Sequence, residues 1–329
     1  MDLNEEWSFF LKDTDYTSLS APTYIGPTPL STPIYISTNT IISFLNQPID
    51  LKTTFWSVPI LSYFEPQVGV IKKQMKFNSS TLAELEEIEA QIQLYKYGYS
   101  TILQHIDNFK GVIKFKDVRK VTIGISKKDI LSYHVKPKGA FYNCFVLILR
   151  VFIGIFKEFH VKIFNTGKIE IPGVQNLEHI PIIIDALLKV LQPYYPTILY
   201  NKSCEETVLI NSNFNCGYFI NRASLYQILI SKYNISAVYD ACSYPGIQCK
   251  IYYDNGVKTT PASIAISFMI FRTGSILIVG KCSESNIREI YHYLVGILYE
   301  EYSFIVDMNC IHSKKTTPLR KIKKYILLK

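Results

Sequence analysis

The feature that most constrains this 329-residue chain is a repeat. Ile163–Gly173 reads IFNTGKIEIPG, and Ile270–Gly280, 107 residues later, reads IFRTGSILIVG, identical at seven of eleven positions. Each segment has strand-like apolar residues, a tight Thr-Gly turn and then alternation, the pattern of a β-hairpin. Each is followed by helical periodicity, over Asn176–Tyr194 and Ser285–Tyr302. Upstream, Ile36–Phe44 (ISTNTIISF) pairs more weakly with Ile210–Tyr218 (INSNFNCGY) at a spacing of 174, and short helices are expected near Ile49–Trp56 and Arg222–Tyr233. A repeat of this length predicts one supersecondary unit used twice.

The two spacings differ by 67, so the first copy carries about 67 extra residues between Phe44 and Ile163, placed around Lys73–Gly139. Within that window Thr81-x-x-Glu84 opens STLAELEEIEAQIQLY like a capping box and predicts a helix. The boundaries that follow are an extension over 1–33, a first repeat over 34–195 with the insertion at about 73–139, a second repeat over 206–303, and a tail over 304–329.

Charge is clustered. Lys110–Lys138 holds eight Lys and one Arg against Asp117 and Asp129, a net +7, and Lys314–Lys329 holds seven basic residues and no acid. The whole chain is only +8, so the rest is about −6. Basic clusters of this kind fit a phosphate backbone or another acidic partner, and equally a solvated loop or tail. Interleaved apolar residues favour binding for the internal cluster; for the tail the two readings stand level.

Composition excludes other classes. Charged residues make up 19% and mean hydropathy is +0.12, which argues against disorder. The longest apolar runs, Cys144–Ile155 and Ile264–Val279, are interrupted by Arg150 and Arg272 and are short for a membrane span. The acidic N-terminus, MDLNEEWSFFLKD, does not read as a secretory leader, so the expectation is a soluble intracellular protein. Seven scattered Cys without a CxxC pair read as small core residues, with neither a metal nor a disulfide framework. Six isolated His, no nucleophile motif and no phosphate-binding Gly loop give no catalytic constellation, so no enzyme and no cofactor is expected.

Strand, helix, antiparallel strands and long helix, twice in one chain, resemble the TATA-box-binding protein family. Phe164-Asn-Thr-Gly-Lys and Phe271-Arg-Thr-Gly-Ser stand where that family has a Phe-x-Ser-Gly-Lys hairpin; Ile49-Asp-Leu-Lys-Thr53 resembles its Leu-Asp-Leu-Lys-Thr; Tyr244-Pro-Gly246 resembles its Phe-Pro-Gly. Lys136-Pro-Lys138 and Leu147–Arg150 (LILR) resemble its Pro-Lys-Arg-Phe and strand-Arg region. The insertion and the Ile- and Tyr-rich composition look most like the divergent members in large DNA viruses.

The resemblance implies an α+β fold, a pseudo-two-fold duplicated saddle of curved antiparallel sheet with helices on its convex face, plus the insertion in the first repeat. It implies an initiation factor that lays the open face on the minor groove of AT-rich double-stranded DNA and inserts aromatic wedges, a mechanism known for that family. The implied partners are a transcription factor IIB-like protein and RNA polymerase, with no membrane and no small-molecule substrate. The implied place of action is the host cytoplasm or nucleus, with packaging in the virion a further option. On the second copy Met269, Phe271, Leu277 and Val279 take the open face and Tyr244 is the partner wedge of Phe271. On the first copy Lys162, Phe164, Glu170 and Pro172 do, with Phe141 or Phe145 as the partner wedge. Asn39 (or Thr38) and Asn213 (or Asn211) are the base-reading candidates, and Arg150, Lys168 and Arg272 the candidate phosphate contacts. Glu170 departs from an apolar groove surface: either it pairs with Lys162 across the strands or this half does not contact bases in the family's manner. The alternative function is a protein-binding scaffold with weak or absent DNA binding.

Overall fold

In the computed structural model, residues 26–132, 139, 141–261 and 264–307 are described. Most of the N-terminal extension, the Lys136-Pro-Lys138 motif and the basic tail from 308 onward lie outside them. The described residues form two compact units, one of 38–209 and one of 26–37 with 210–307.

The first unit runs from within β1 (Tyr35–Leu45), whose first three residues belong to the second unit, through α1 (Leu51–Ser57), β2 (Gly69–Ser79), α2 (Leu82–Gln93), β3 (Gly98–Asp107), β4 (Phe115–Gly124), α3 (Lys127–Leu131), β5 (Cys144–Phe152), β6 (Phe156–Phe164), β7 (Lys168–Val174), a single 3-10 turn and α4 (Ile180–Leu191). Its strands lie in the order β3-β4-β2-β5-β6-β7-β1, with antiparallel pairing. Alternation sends Phe145, Leu147, Leu149 and Val151 of β5 and Val161 and Ile163 of β6 to one face, where they pack with Phe55 of α1 and with Ile183, Leu187 and Leu191 of α4. Beyond β2 the sheet continues into β4 and β3, and β2 is a continuous strand through position 73.

The second unit begins within β8 (Tyr200–Asn215), whose last six residues belong to it, and continues through α5 (Arg222–Ser231), β9 (Ser236–Val238), β10 (Gly246–Tyr253), β11 (Val257–Lys258), β12 (Ile264–Phe271), β13 (Ser275–Gly280), α6 (Glu284–Glu300) and α7 (Tyr302–Ile305). Its order is β11-β10-β12-β13-β8, with β9 on β10. Ile266, Phe268, Ile270, Ile276 and Ile278 pack against Ile287, Leu294 and Ile297 of α6.

Both Thr-Gly segments are hairpins in the same register: Ile163 faces Ile169, and Ile270 faces Ile276. Gly167 and Gly274 have φ of +82° and +77°, and a Cβ at either would lie 2.4 Å from the Gln47 carbonyl oxygen or 2.3 Å from that of Tyr218. Only glycine fits such a turn. The short helices also start alike: Asp50 accepts from the amides of Lys52 and Thr53, and Asn221 from that of Ser224. At α2, Thr81 accepts from the Glu84 amide as expected, but the Glu84 carboxylate reaches back to Ser80 rather than Thr81.

The cysteines divide. Cys144, Cys216 and Cys249 are buried, which pushes their thiols up to about 11, 11 and 12, whereas Cys204 and Cys242 are exposed and correct the expectation of uniform core residues.

Candidate nucleic-acid interface

Each sheet has a face turned away from its helices, and strand pairing sets what stands there. In the second unit Gln248, Met269, Leu277 and Asn213 form one row across β10, β12, β13 and β8. Lys250, Ser267, Val279 and Asn211 form the next. All are half-buried or exposed, while the alternate residues form the core. Asn213 and Asn211 are two apart and therefore share this face, so both readings of the base-contacting asparagine fall on it. Beside these rows the Tyr244 and Phe271 rings lie 6.0 Å apart, and the Tyr244 hydroxyl donates to the Met269 sulfur at 3.5 Å. Arg272, at the hairpin turn, pairs with Asp307 at 3.2 Å. Gln248, Lys250 and Ser267 were missed by sequence reasoning, although alternation along β10 and β12 carries the signal.

The corresponding row of the first unit differs. Val146, Lys162, Glu170 and Ile42 stand in line across β5, β6, β7 and β1. Lys162 Nζ donates to Glu170 Oε1 at 2.6 Å, so the cross-strand alternative holds. Phe164 is half-buried, with Lys168 Nζ 5.5 Å from its ring centre. Phe141 is 63% exposed and lies beneath Lys162 Nζ at 4.9 Å, whereas Phe145 is fully buried against Phe55, which removes it as a wedge.

Two expected contacts are corrected. Arg150 is 6% exposed and donates to the carbonyls of Glu65 at 2.6 Å and Tyr63 at 2.7 Å, with its guanidinium 5.0 Å from the Tyr63 ring. It ties down the α1–β2 connection and does not face solvent phosphates. Asn39 is also 6% exposed: it lies opposite the core residue Val174 and two residues from the core residue Ile41, so alternation along β1 turns it to the helix side and leaves the alternative, Thr38, on the open face.

The segment around α3 also covers part of this face. Lys72 donates to Asp129 at 2.6 and 2.7 Å, and the Lys127 amide donates to Glu158 at 3.0 Å. Burial opposes ionisation of Asp129, but hydrogen bonds from Lys72 and Ser126 outweigh it and hold the carboxyl below its ordinary value. For Glu158 burial dominates and raises the carboxyl. A cleft of about 1220 Å³ results, lined by Phe64, Lys127, Ile148, Phe156, His160 and His179 among others. Among the described residues no group of three or more His, Cys, Asp or Glu could hold a metal ion, and no helix is long and apolar enough to cross a membrane.

The molecule is thus an α+β protein of antiparallel sheet and helices, with an apolar-and-amide face in one unit and a mixed, partly covered face in the other. No protein-family model matches the chain, and no curated protein is similar to it in sequence. One solved structure similar to it is Methanococcus jannaschii TBP, at 14% identity and a TM-score of 0.40, covering 82% of this chain and 99% of that one.

Proposed function

We propose that this chain is a TATA-box-binding-protein-like initiation factor, a duplicated fold that binds AT-rich duplex DNA through the minor groove. The observation that carries the reading is the open face of the second unit. Met269, Leu277 and Val279 stand in adjoining rows flanked by Asn211 and Asn213, with Tyr244 and Phe271 together at one side. The minor groove of A·T pairs offers only acceptors, which amide donors match and carboxylates do not, and apolar side chains suit its floor. The hairpins in common register support the duplication, and the motifs in the Ile49, Phe164, Tyr244 and Phe271 segments support the family. Recruitment of a IIB-like factor and a polymerase follows from that resemblance, as does the branch of large DNA viruses. No catalytic role is proposed.

A second reading, a protein-binding scaffold, draws on the Lys162–Glu170 pair and the cleft beneath the insertion, which set the first unit apart from a groove-binding surface. Fluorescence anisotropy separates the two. On the first reading the protein prefers an AT-rich duplex to a GC-rich one, and Leu277→Glu, which copies Glu170, weakens AT-rich binding at least tenfold. Equal affinity of wild type and Leu277→Glu rejects it in favour of the scaffold.

A further inference from the structure

The cleft of the first unit is built from side chains that the open face of the second unit does not use. Phe64, 65% exposed, lines it, and Arg150 donates to the carbonyls of Tyr63 and Glu65, the residues on either side of Phe64. The Phe64 ring also meets the Tyr63 ring edge-on at 5.8 Å. Phe156, 40% exposed, lines the same cleft and packs on Phe152 at 5.2 Å. Both rings are thus held by aromatic neighbours while much of their surface meets solvent. A flat apolar group that stacks on them needs little further ordering of the protein.

Charge in the cleft is mostly of one sign. Lys127, Lys128 and Lys157 line it, the first two exposed and the third half-buried. Glu158 is the one acid among its described lining residues; it is half-buried, and both carboxylate oxygens accept from the Lys127 amide, at 3.1 and 3.0 Å. Lysines beside solvent-facing rings suit a polyanion that carries planar groups. Duplex DNA has the phosphates but keeps its base faces stacked on one another, whereas a single strand offers both phosphates and base faces. An acidic peptide offers the charge with few planar groups.

We infer that this cleft is a binding site for single-stranded nucleic acid, with Phe64 and Phe156 as stacking platforms and Lys127, Lys128 and Lys157 as backbone contacts. The site lies wholly within the first unit and does not rest on the duplex-binding reading of the second. Every base has a π-face, so binding of this kind tolerates any sequence. Arg150 is a positioning residue for it, through the two carbonyls that flank Phe64.

The test is fluorescence anisotropy of the full chain with labelled oligo-dT and, separately, with AT-rich and GC-rich duplexes. Wild type should bind oligo-dT, and Phe64→Ala/Phe156→Ala should weaken that binding about tenfold or more, since one stacked base contributes roughly fivefold or more. Phe64→Trp/Phe156→Trp should bind at least as well as wild type, and Phe64→Leu/Phe156→Leu as weakly as the Ala variant, which separates stacking from apolar packing. Lys127→Gln/Lys128→Gln/Lys157→Gln should lower the slope of log K against log salt by about 2, at about 0.7 for each phosphate of a single strand. No oligo-dT binding by wild type, or no loss in the Ala variant, overturns the site and leaves the duplex-binding reading standing. A reduced salt slope without a ring effect overturns it as well, because lysines alone serve any polyanion. Binding of a peptide of alternating Glu and Leu, but not of oligo-dT, overturns it in favour of a peptide site. Oligo-dT binding with the expected losses, in a protein that does not prefer AT-rich duplex, supports the cleft and rejects the minor-groove reading.

Discussion

Lys162 and Glu170 face each other directly across β6 and β7, joined at 2.6 Å, at the register occupied by Met269 and Leu277 in the other hairpin. The pair turns what would be an apolar row into a neutralised polar one, with both side chains mostly covered. A double-mutant cycle with Lys162→Met and Glu170→Leu should give a coupling of about 1 kcal/mol in denaturant unfolding, as for opposed charges on a sheet. The Lys162→Met protein should be less stable than the double variant, because it strands a half-buried carboxylate. A coupling near zero would mean the pair contributes nothing.

Arg150 should prove structural. Replacing it with Met leaves two carbonyls, of Tyr63 and Glu65, without their charged donor, and about 2–3 kcal/mol of stability should be lost. Lys should rescue only partly, since one ammonium does not reproduce the planar fork. The salt dependence of DNA binding should not change. A reduced slope with unchanged melting would restore Arg150 as a phosphate contact.

Lys73 is the one fully buried lysine among the described residues, its Nζ donating to the carbonyls of Phe55 at 2.6 Å and Val58 at 2.7 Å at the end of α1. Burial pulls its ammonium down to about 8 from 10.5. The unfolded chain therefore binds more protons between about pH 8 and 10.5, and this group makes stability rise with pH through that window, by on the order of 3 kcal/mol. Compared with Lys73→Met, wild type should gain stability from pH 8 to 10.5 and show no such difference in trend below pH 7. Parallel pH profiles for the two proteins would contradict this.

Much of the fold was legible because it rests on short-range signals. Both hairpins follow from Thr-Gly flanked by alternating residues, and the helices from their caps and 3.6-residue periodicity. That Met269, Leu277 and Val279 share a face followed from alternation, since β12 and β13 are regular, and that this face is the open one followed from the family resemblance. Asn39 and Arg150 were misread for different reasons. The face of β1 was open by one residue until its pairing with β7 set Asn39 beside Ile41 on the helix side, and the carbonyls that capture Arg150 belong to residues more than eighty positions away. The edge strands β3 and β4 were not legible, because strands at a sheet edge match no repeated segment of the chain.

On the proposed function the second unit's open face grips the minor groove with Tyr244 and Phe271 as wedges. The direct test is the end-to-end distance of a doubly labelled AT-rich duplex by fluorescence transfer. Wild type should shorten it sharply, and Tyr244→Ala/Phe271→Ala should leave the duplex nearly straight while retaining its fold and its salt-dependent, sequence-indifferent binding. Equal shortening by wild type and the double variant, or no shortening by either at saturating protein, would contradict the account.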